Sequence, residues 1–288
     1  MSTTLSQAKI AFVGAGSMAE AIIRGLIEQQ VAQPHHLYVM NHSDQNRLAY
    51  LCSEYGLHAT SDSVIKESYL READVVVLCM KPKDVVTAFA ELQPLLNEQQ
   101  LLISVIAGLS IAKIETLLQS QMPIARTMPN TSSTIGLGAT GMSFSLAANE
   151  NNKQLATQMF EAVGIVTIVE EDKLEIVTGV SGSGPAYIYY FMEAMIKAAV
   201  GGGLTEEDAR ELTLQTVLGA AHMVQRTQED PAELRRKVTS PNGATQAAIE
   251  ALDRYHFSEA ILQAVHSSAN RSKEMGEQIG ASSPVAKS

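Results

Sequence analysis

Tryptophan is absent from the 288 residues, aromatic residues make up only 5% of the chain, and cysteine occurs twice. Cys52 and Cys79 cannot by themselves form a disulfide framework or a zinc site. The histidines His35, His36, His42, His58, His222, His256 and His266 show no metal-ligand spacing and read as surface or packing residues. No apolar run reaches the roughly 18 residues that a membrane span requires. Positive charge is also scarce: 21 Lys and Arg face 31 Asp and Glu, a net charge of −10. That balance argues against nucleic acid as the main partner, because phosphate binding calls for clustered basic side chains. The stretch Ala8 to Gly16 is apolar but short and broken by glycines, so no secretory leader is read there and a cytoplasmic location is expected. Neither a Ser–His–Asp order nor a pair of carboxylates stands out. What is present is a globular balance, 45% hydrophobic and 18% charged, long enough for one large domain or two ordinary ones.

The first 170 residues alternate short apolar runs with helical patterns. Expected strands are Ile10–Val13, Leu37–Met40, Val75–Cys79, Leu101–Ile106, Ile124–Thr127 and a later Ile165–Val169. Runs apolar at nearly every position suit strands covered on both faces, as in a parallel sheet. The intervening segments Met18–Gln29 and Asp84–Leu95 carry apolar residues three and four apart. The pattern predicts an α/β domain with a doubly wound sheet over residues 1–170. Past Glu170 the strand-type runs stop. Helices are predicted from Ser183-Gly-Pro185 to Gly201-Gly-Gly203, from Thr205 to about Val224, from Asp230-Pro231, over Gln246–Leu252, and over Glu259–Met275 with Ser258 as cap. An all-helical domain is therefore expected over 171–276, followed by a flexible tail at 277–288 that frays from Ala281. Its broad apolar faces, with Ile188, Phe191, Met192, Met195, Leu212, Val217 and Leu218, are expected to bury surface against a second copy.

Gly14-Ala15-Gly16-Ser17-Met18-Ala19 follows the first strand and opens a helix. One glycine permits the tight turn, the next lets backbone approach a pyrophosphate, and the helix N-terminus offers free N–H groups to phosphate. At the end of the second strand, Asn41-His42-Ser43 stands where an NAD site carries an acid for the adenosine ribose. Neutral or basic donors there favour NADP over NAD; the bland reading is a polar loop. Lys81-Pro82 ends the strand from Val75, with Lys81 either serving the nicotinamide ribose or simply solvated. Ala107-Gly108 and Met128-Pro-Asn-Thr131 end two further strands, and the three ends are expected to converge on one crevice. Later, Val238-Thr-Ser-Pro-Asn-Gly-Ala-Thr245 precedes a helix. Ser240 and Thr245 supply hydroxyls, and Gly243 is expected to leave its N–H open to a small carboxylate; the alternative is an ordinary capped loop. Cys79 reads as a small hydrophobe, and the Tyr187–Phe191 cluster as helix packing.

Taken together these segments resemble the pyrroline-5-carboxylate reductase family from Val13 to about Met275. The most specific parts are Ser181-Gly-Ser-Gly-Pro-Ala-Tyr187 and the Val238–Thr245 block, where the family usually has Gly in place of Asn242. The resemblance implies a Rossmann-type domain, a helical dimerisation domain, an active site between the two, and a homodimer that in some members builds larger rings. It implies that Val13, Gly14, Ala15, Gly16, Ser17 and Met18 hold the pyrophosphate and that Ser43 lies near the ribose phosphate. Met80, Lys81 and Pro82, with Ala107 and Gly108, would line the nicotinamide half. Ser240, Gly243 and Ala244 would hold the substrate carboxylate, and Thr245 would place its hydroxyl near the imine nitrogen. Ser63, at the cofactor, and Lys237 depart from positions that are often Asn. The implied reaction is hydride transfer from NADPH, or NADH, to 1-pyrroline-5-carboxylate, giving L-proline. A β-hydroxyacid dehydrogenase has a similar layout, but Lys197 lies a helix-length past Ser183 and does not suit its acid. A dinucleotide-binding regulator without turnover would have no use for Ser240, Gly243 and Thr245.

Overall fold

The structure, a computed structural model, describes residues 4–279. A sheet of eight strands has the order β3-β2-β1-β4-β5-β6-β7-β8. These are β1 Ile10–Val13, β2 Leu37–Met40, β3 His58–Thr60, β4 Val75–Leu78, β5 Leu101–Ser104, β6 Ile124–Met128, β7 Gly138–Phe144 and β8 Gly164–Ile168. Pairing is parallel throughout except between β6 and β7, so β7 and β8 run against the rest. The helices α1 Ser17–Glu28, α2 Gln45–Tyr55, α3 Ser63–Glu72, α4 Val85–Leu92, α5 Ile111–Leu118 and α6 Glu150–Glu161 connect or cover the strands.

Alternate strand residues feed two separate cores. Ile10, Phe12, Val39, Val75, Val77 and Ile103 join α1 and α6 through Ile22, Leu26, Met159 and Phe160. Ala11, Tyr38, Met40, Val76, Leu78 and Leu102 join α3, α4 and α5 through Leu70, Phe89 and Ile114. Side chains of a strand point alternately to opposite faces, so only continuous apolar runs satisfy both cores. The expected strands duly lie within a few residues of their observed limits. Two strands escaped the pattern. β3 is a polar three-residue strand at the sheet edge, and β7 reads Gly-Ala-Thr-Gly-Met-Ser-Phe, with little apolar density. Glycine weakens a strand signal but permits close approach: a Cβ at Gly138 would stand 2.8 Å from the Val163 carbonyl oxygen.

Contact density divides the chain into one unit of residues up to Ser183 and from Ser267 onward, and a second of Gly184–His266. These units differ from the sequence-read boundary at 170. In the first unit the segment after β8 forms α7 Leu174–Val177 and a wide turn at Thr178–Gly182. Arg126 of β6, 5% exposed, ties that segment to the sheet by donating to Glu171 at 3.0 Å and Glu175 at 2.7 Å. A buried guanidinium needs such partners to offset its desolvation.

The second unit contains α8 Gly184–Gly201, α9 Glu206–Thr227, α10 Pro231–Lys237, α11 Ala244–Arg254 and the start of α12 Phe257–Gln278. Thr205 caps α9 by accepting from the Asp208 N–H at 3.1 Å, and Pro231 opens α10, both as expected. Ser258 does not cap α12. His256 takes a left-handed φ of 55° and the chain re-enters helix at Phe257, leaving Ser258 inside the first turn. The helix also passes 276, while the frayed tail read at Ala281–Ser288 lies outside the described residues. Among the described residues no helix is long and apolar enough to cross a membrane.

Gly25 offers a stability test in which two effects oppose. Replacing a glycine inside a helix by alanine gains up to about 1 kcal/mol of propensity. Here the added Cβ would sit 2.3 Å from a Val163 methyl and 2.8 Å from the Ala162 carbonyl oxygen. Overpacking costs about 1–3 kcal/mol, so Gly25→Ala is expected to be net destabilising in urea unfolding. A higher midpoint would show that the α1–α6 seam yields.

Candidate active site

Strand order reverses between β1 and β4, and in open α/β sheets ligands bind beyond the carboxyl ends at such a switch point. Gly14 has a φ of 112°, and its N–H donates to the Met40 carbonyl at 2.9 Å, tying the turn after β1 to the end of β2. A Cβ on Gly14 would stand 2.6 Å from the Cys79 carbonyl oxygen, a distance no side chain tolerates. Gly16 differs: it starts α1 without a side-chain cap, and a Cβ there would meet nothing within 4 Å. Open space thus adjoins Gly16 at the uncapped start of α1, the kind of place where helix N–H groups receive anionic oxygen.

A cavity of about 1270 Å³ opens from this turn. Of the expected dinucleotide contacts, Val13, Gly14, Ala15, Gly16, Asn41, His42, Ser63, Met80 and Lys81 line it. Ser17, Met18, Ser43, Pro82, Ala107 and Gly108 fall outside its lining. Gly108 has α12 against it, with a would-be Cβ 2.5 Å from the Ser272 carbonyl oxygen. Asn130 is likewise drawn into the fold: it donates to the Ser181 carbonyl at 3.0 Å and accepts from the Ala139 N–H at 3.2 Å. Of the three strand ends expected to converge, only Lys81's lines the cavity. Cys79 also lines it, but burial pushes its thiol up to about 12, so it remains a neutral, inert group.

The block ending in Thr245 belongs to the second unit. Ser240, Ala244 and Thr245 are exposed there. The expectation of an open N–H at Gly243 is corrected, because that group donates to the Ser240 carbonyl at 3.0 Å in a tight turn. Asn242 takes a left-handed φ of 60°, a conformation in which Asn substitutes for Gly at small cost. Gly243 starts α11 with no side-chain cap, and the first intrahelical bond runs from Ala247 to Gly243. The donors left for an anion are the N–H groups of Ala244, Thr245 and Gln246.

Residues 171–275 match the family model for pyrroline-5-carboxylate reductase dimerisation, and residues 9–108 match that for NADP oxidoreductase, coenzyme F420-dependent. Pyrroline-5-carboxylate reductase 2 of Bacillus subtilis is 41% identical over 271 residues, covering 94% of this chain and 96% of that protein. The chain belongs to the pyrroline-5-carboxylate reductase family. The solved reductase of Coxiella burnetii superposes with a TM-score of 0.85 at 39% identity, over 93% of this chain and 98% of that one. The Plasmodium falciparum enzyme, solved with NADP bound, also gives 0.85, at 29% identity over 94% and 99%.

For a member of this family, the sequence reading missed several groups lining the cavity: Arg47 of α2, Lys66 of α3, Asp84 just before α4 and Thr87 within it. Arg47 lies five residues past His42, beyond the strand-end motif, and only folding of α2 returns it to the glycine turn. Its Nε donates to the Ala15 carbonyl at 2.8 Å and its Nη2 to Glu20 at 2.5 Å. Desolvation alone would raise the Glu20 carboxyl, but donation from Arg47, Tyr55 and Tyr50 prevails and holds it below its ordinary value. The ion pair therefore persists at neutral pH.

The two glycines predict opposite outcomes. Gly16→Val is expected to melt within about 2 °C of the parent while losing NADPH binding in a fluorescence titration, since its side chain enters only the phosphate space. Gly14→Ala is expected to lose stability, by roughly 2 kcal/mol or more, before binding is even asked. Unimpaired NADPH binding by Gly16→Val would refute the cradle.

Proposed function

We infer that this chain reduces 1-pyrroline-5-carboxylate to L-proline with a nicotinamide dinucleotide, NADPH by preference and NADH as the lesser donor. The observation that carries the reading is the pairing, in one family member, of an uncapped glycine-turn cradle with an α11 N-terminus flanked only by hydroxyls and amides. The bound dinucleotide supplies a hydride. The protein's work is then placement. Val13 to Met18 hold the pyrophosphate, with Asn41, His42, Ser43 and Ser63 around the adenosine. Met80, Lys81 and Pro82, with Ala107 and Gly108 at the neighbouring strand end, bound the nicotinamide half.

The α11 start is the substrate end in this reading. Ser240 and the N–H groups of Ala244 and Thr245 take the carboxylate, Gly243 keeping the turn tight, while the Thr245 hydroxyl faces the imine nitrogen. A cyclic imine is readily protonated, so its iminium carbon accepts hydride without a strong protein acid. The absence of any carboxylate or imidazole between Val238 and Gln246 is consistent with that chemistry. Positioning of this kind contributes to rate through orientation rather than proton transfer.

The helical unit is the homo-oligomer's contact domain. Buried residues are few in it, whereas Tyr190 is 76% exposed and Leu212 59%, an apolar face that a second copy of the chain would cover. We place the protein in the cytoplasm as a homodimer, with a ring of dimers as the larger form.

NADPH oxidation with pyrroline-5-carboxylate, run beside NADH and beside 3-hydroxyisobutyrate with NADP, tests the reaction. Turnover with the imine alone is expected; turnover with the hydroxy acid instead would sink the reading. Thr245→Ala is expected to lower kcat by up to about 100-fold through lost orientation, while NADPH affinity changes little. Unchanged kcat would remove Thr245 from the imine.

A further inference from the structure

We propose that Arg47 is the residue that discriminates NADPH from NADH, with Glu20 as the positioning residue that aims it. The proposal rests on the dinucleotide reading above and goes beyond the strand-end motif Asn41-His42-Ser43. Arg47 lines the cavity beside His42 and the glycine turn. Its Nε is bonded to the Ala15 carbonyl at 2.8 Å, which fixes the guanidinium against the loop that meets the pyrophosphate. Glu20 accepts from Nη2 at 2.5 Å and is itself held by Tyr55 at 3.0 Å and Tyr50 at 3.2 Å.

A guanidinium has five N–H donors in a planar fork. The Ala15 carbonyl and Glu20 use two, and no other hydrogen bond is made by the Arg47 side chain among the described residues. Three donors are left, and the side chain keeps 24% of its surface accessible. A phosphate on the adenosine ribose matches that remainder, because phosphate oxygens accept in the same forked geometry. Asp44 lines the same cavity but directs an oxygen to its own helix, capping α2 by accepting from the Arg47 N–H at 2.9 Å. His42, Lys66 and Arg71 line the same cavity, but among the described residues no hydrogen bond fixes the first two side chains and Arg71 bonds only Glu67 of its own helix, whereas Arg47 is held against the glycine turn from two sides. Lysine also acts only as a point charge, without the fork.

The test compares ligands that differ only by the 2′-phosphate. Wild type, Arg47→Gln, Arg47→Lys and Glu20→Gln are titrated calorimetrically with adenosine 2′,5′-bisphosphate and 5′-AMP, and by fluorescence with NADPH and NADH. For Arg47→Gln the two ligands that carry the 2′-phosphate are expected to weaken by about 10- to 100-fold and the two that lack it by less than about threefold. Glu20→Gln should lose a smaller part of the same selectivity, since the charge remains but its aim is loosened. Equal weakening of all four ligands would mean that Arg47 only shapes the glycine turn, and no weakening would assign the phosphate to another cation of the cavity such as His42, Lys66 or Arg71; either overturns the proposal. Melting curves without nucleotide verify folding, and Arg47→Lys carries the comparison if Arg47→Gln does not fold. Failure of the wild type to bind NADPH would overturn the dinucleotide reading along with this one, whereas failure confined to the variants overturns this one alone.

Discussion

The approach of Gly14 to the carbonyl of Cys79 sets the terms for the nucleotide-binding unit. Backbone meets backbone there at a distance that leaves no room for a Cβ. The contact draws the turn after β1 against the end of β4, as the bond from the Cys79 N–H to the Val13 carbonyl at 2.9 Å confirms. Beyond that seam the turn lines the cavity. Gly16 lies on that lining, at the uncapped start of α1. Packing thus separates the two glycines: a Cβ on Gly14 would collide with the Cys79 carbonyl, whereas one on Gly16 would meet open space.

Charge is used sparingly in this acidic chain, and where it matters it is held. The Arg47–Glu20 pair joins α2 to α1 and to the glycine turn, with two tyrosines sharing the carboxylate. Arg126 does a similar task near β6, drawing Glu171 and Glu175 of the following segment onto the sheet. By contrast the α11 start offers backbone N–H groups and hydroxyls, with no charged side chain between Val238 and Gln246. Such donors hold an anion less firmly than a paired guanidinium does.

The parallel strands were legible because both faces of the sheet are buried, so β1, β2, β4 and β5 are apolar at nearly every position. β7 was not, since its glycines answer to neighbours such as Val163 and Val177 that are distant in sequence. The helix starts at Thr205 and Asp230 were legible from local capping chemistry, whereas Ser258 misled because the left-handed His256 had already turned the chain. At the α11 start, composition singled out Ser240, Gly243 and Thr245, but not that the Gly243 N–H closes its own turn on Ser240.

The sequence by itself determined the doubly wound sheet, the glycine turn, the helical second half and the family, because each rests on patterns local to a strand, a turn or a helix. Only the tertiary structure decided which of those residues share a cavity. It brought Arg47 back from α2 to Ala15 and joined Lys66 of α3 to the same cavity. It also set Gly108 against α12 and bonded Asn130 to Ser181. Such proximities depend on how strands pair and helices pack across long stretches of chain, and no local spacing encodes them.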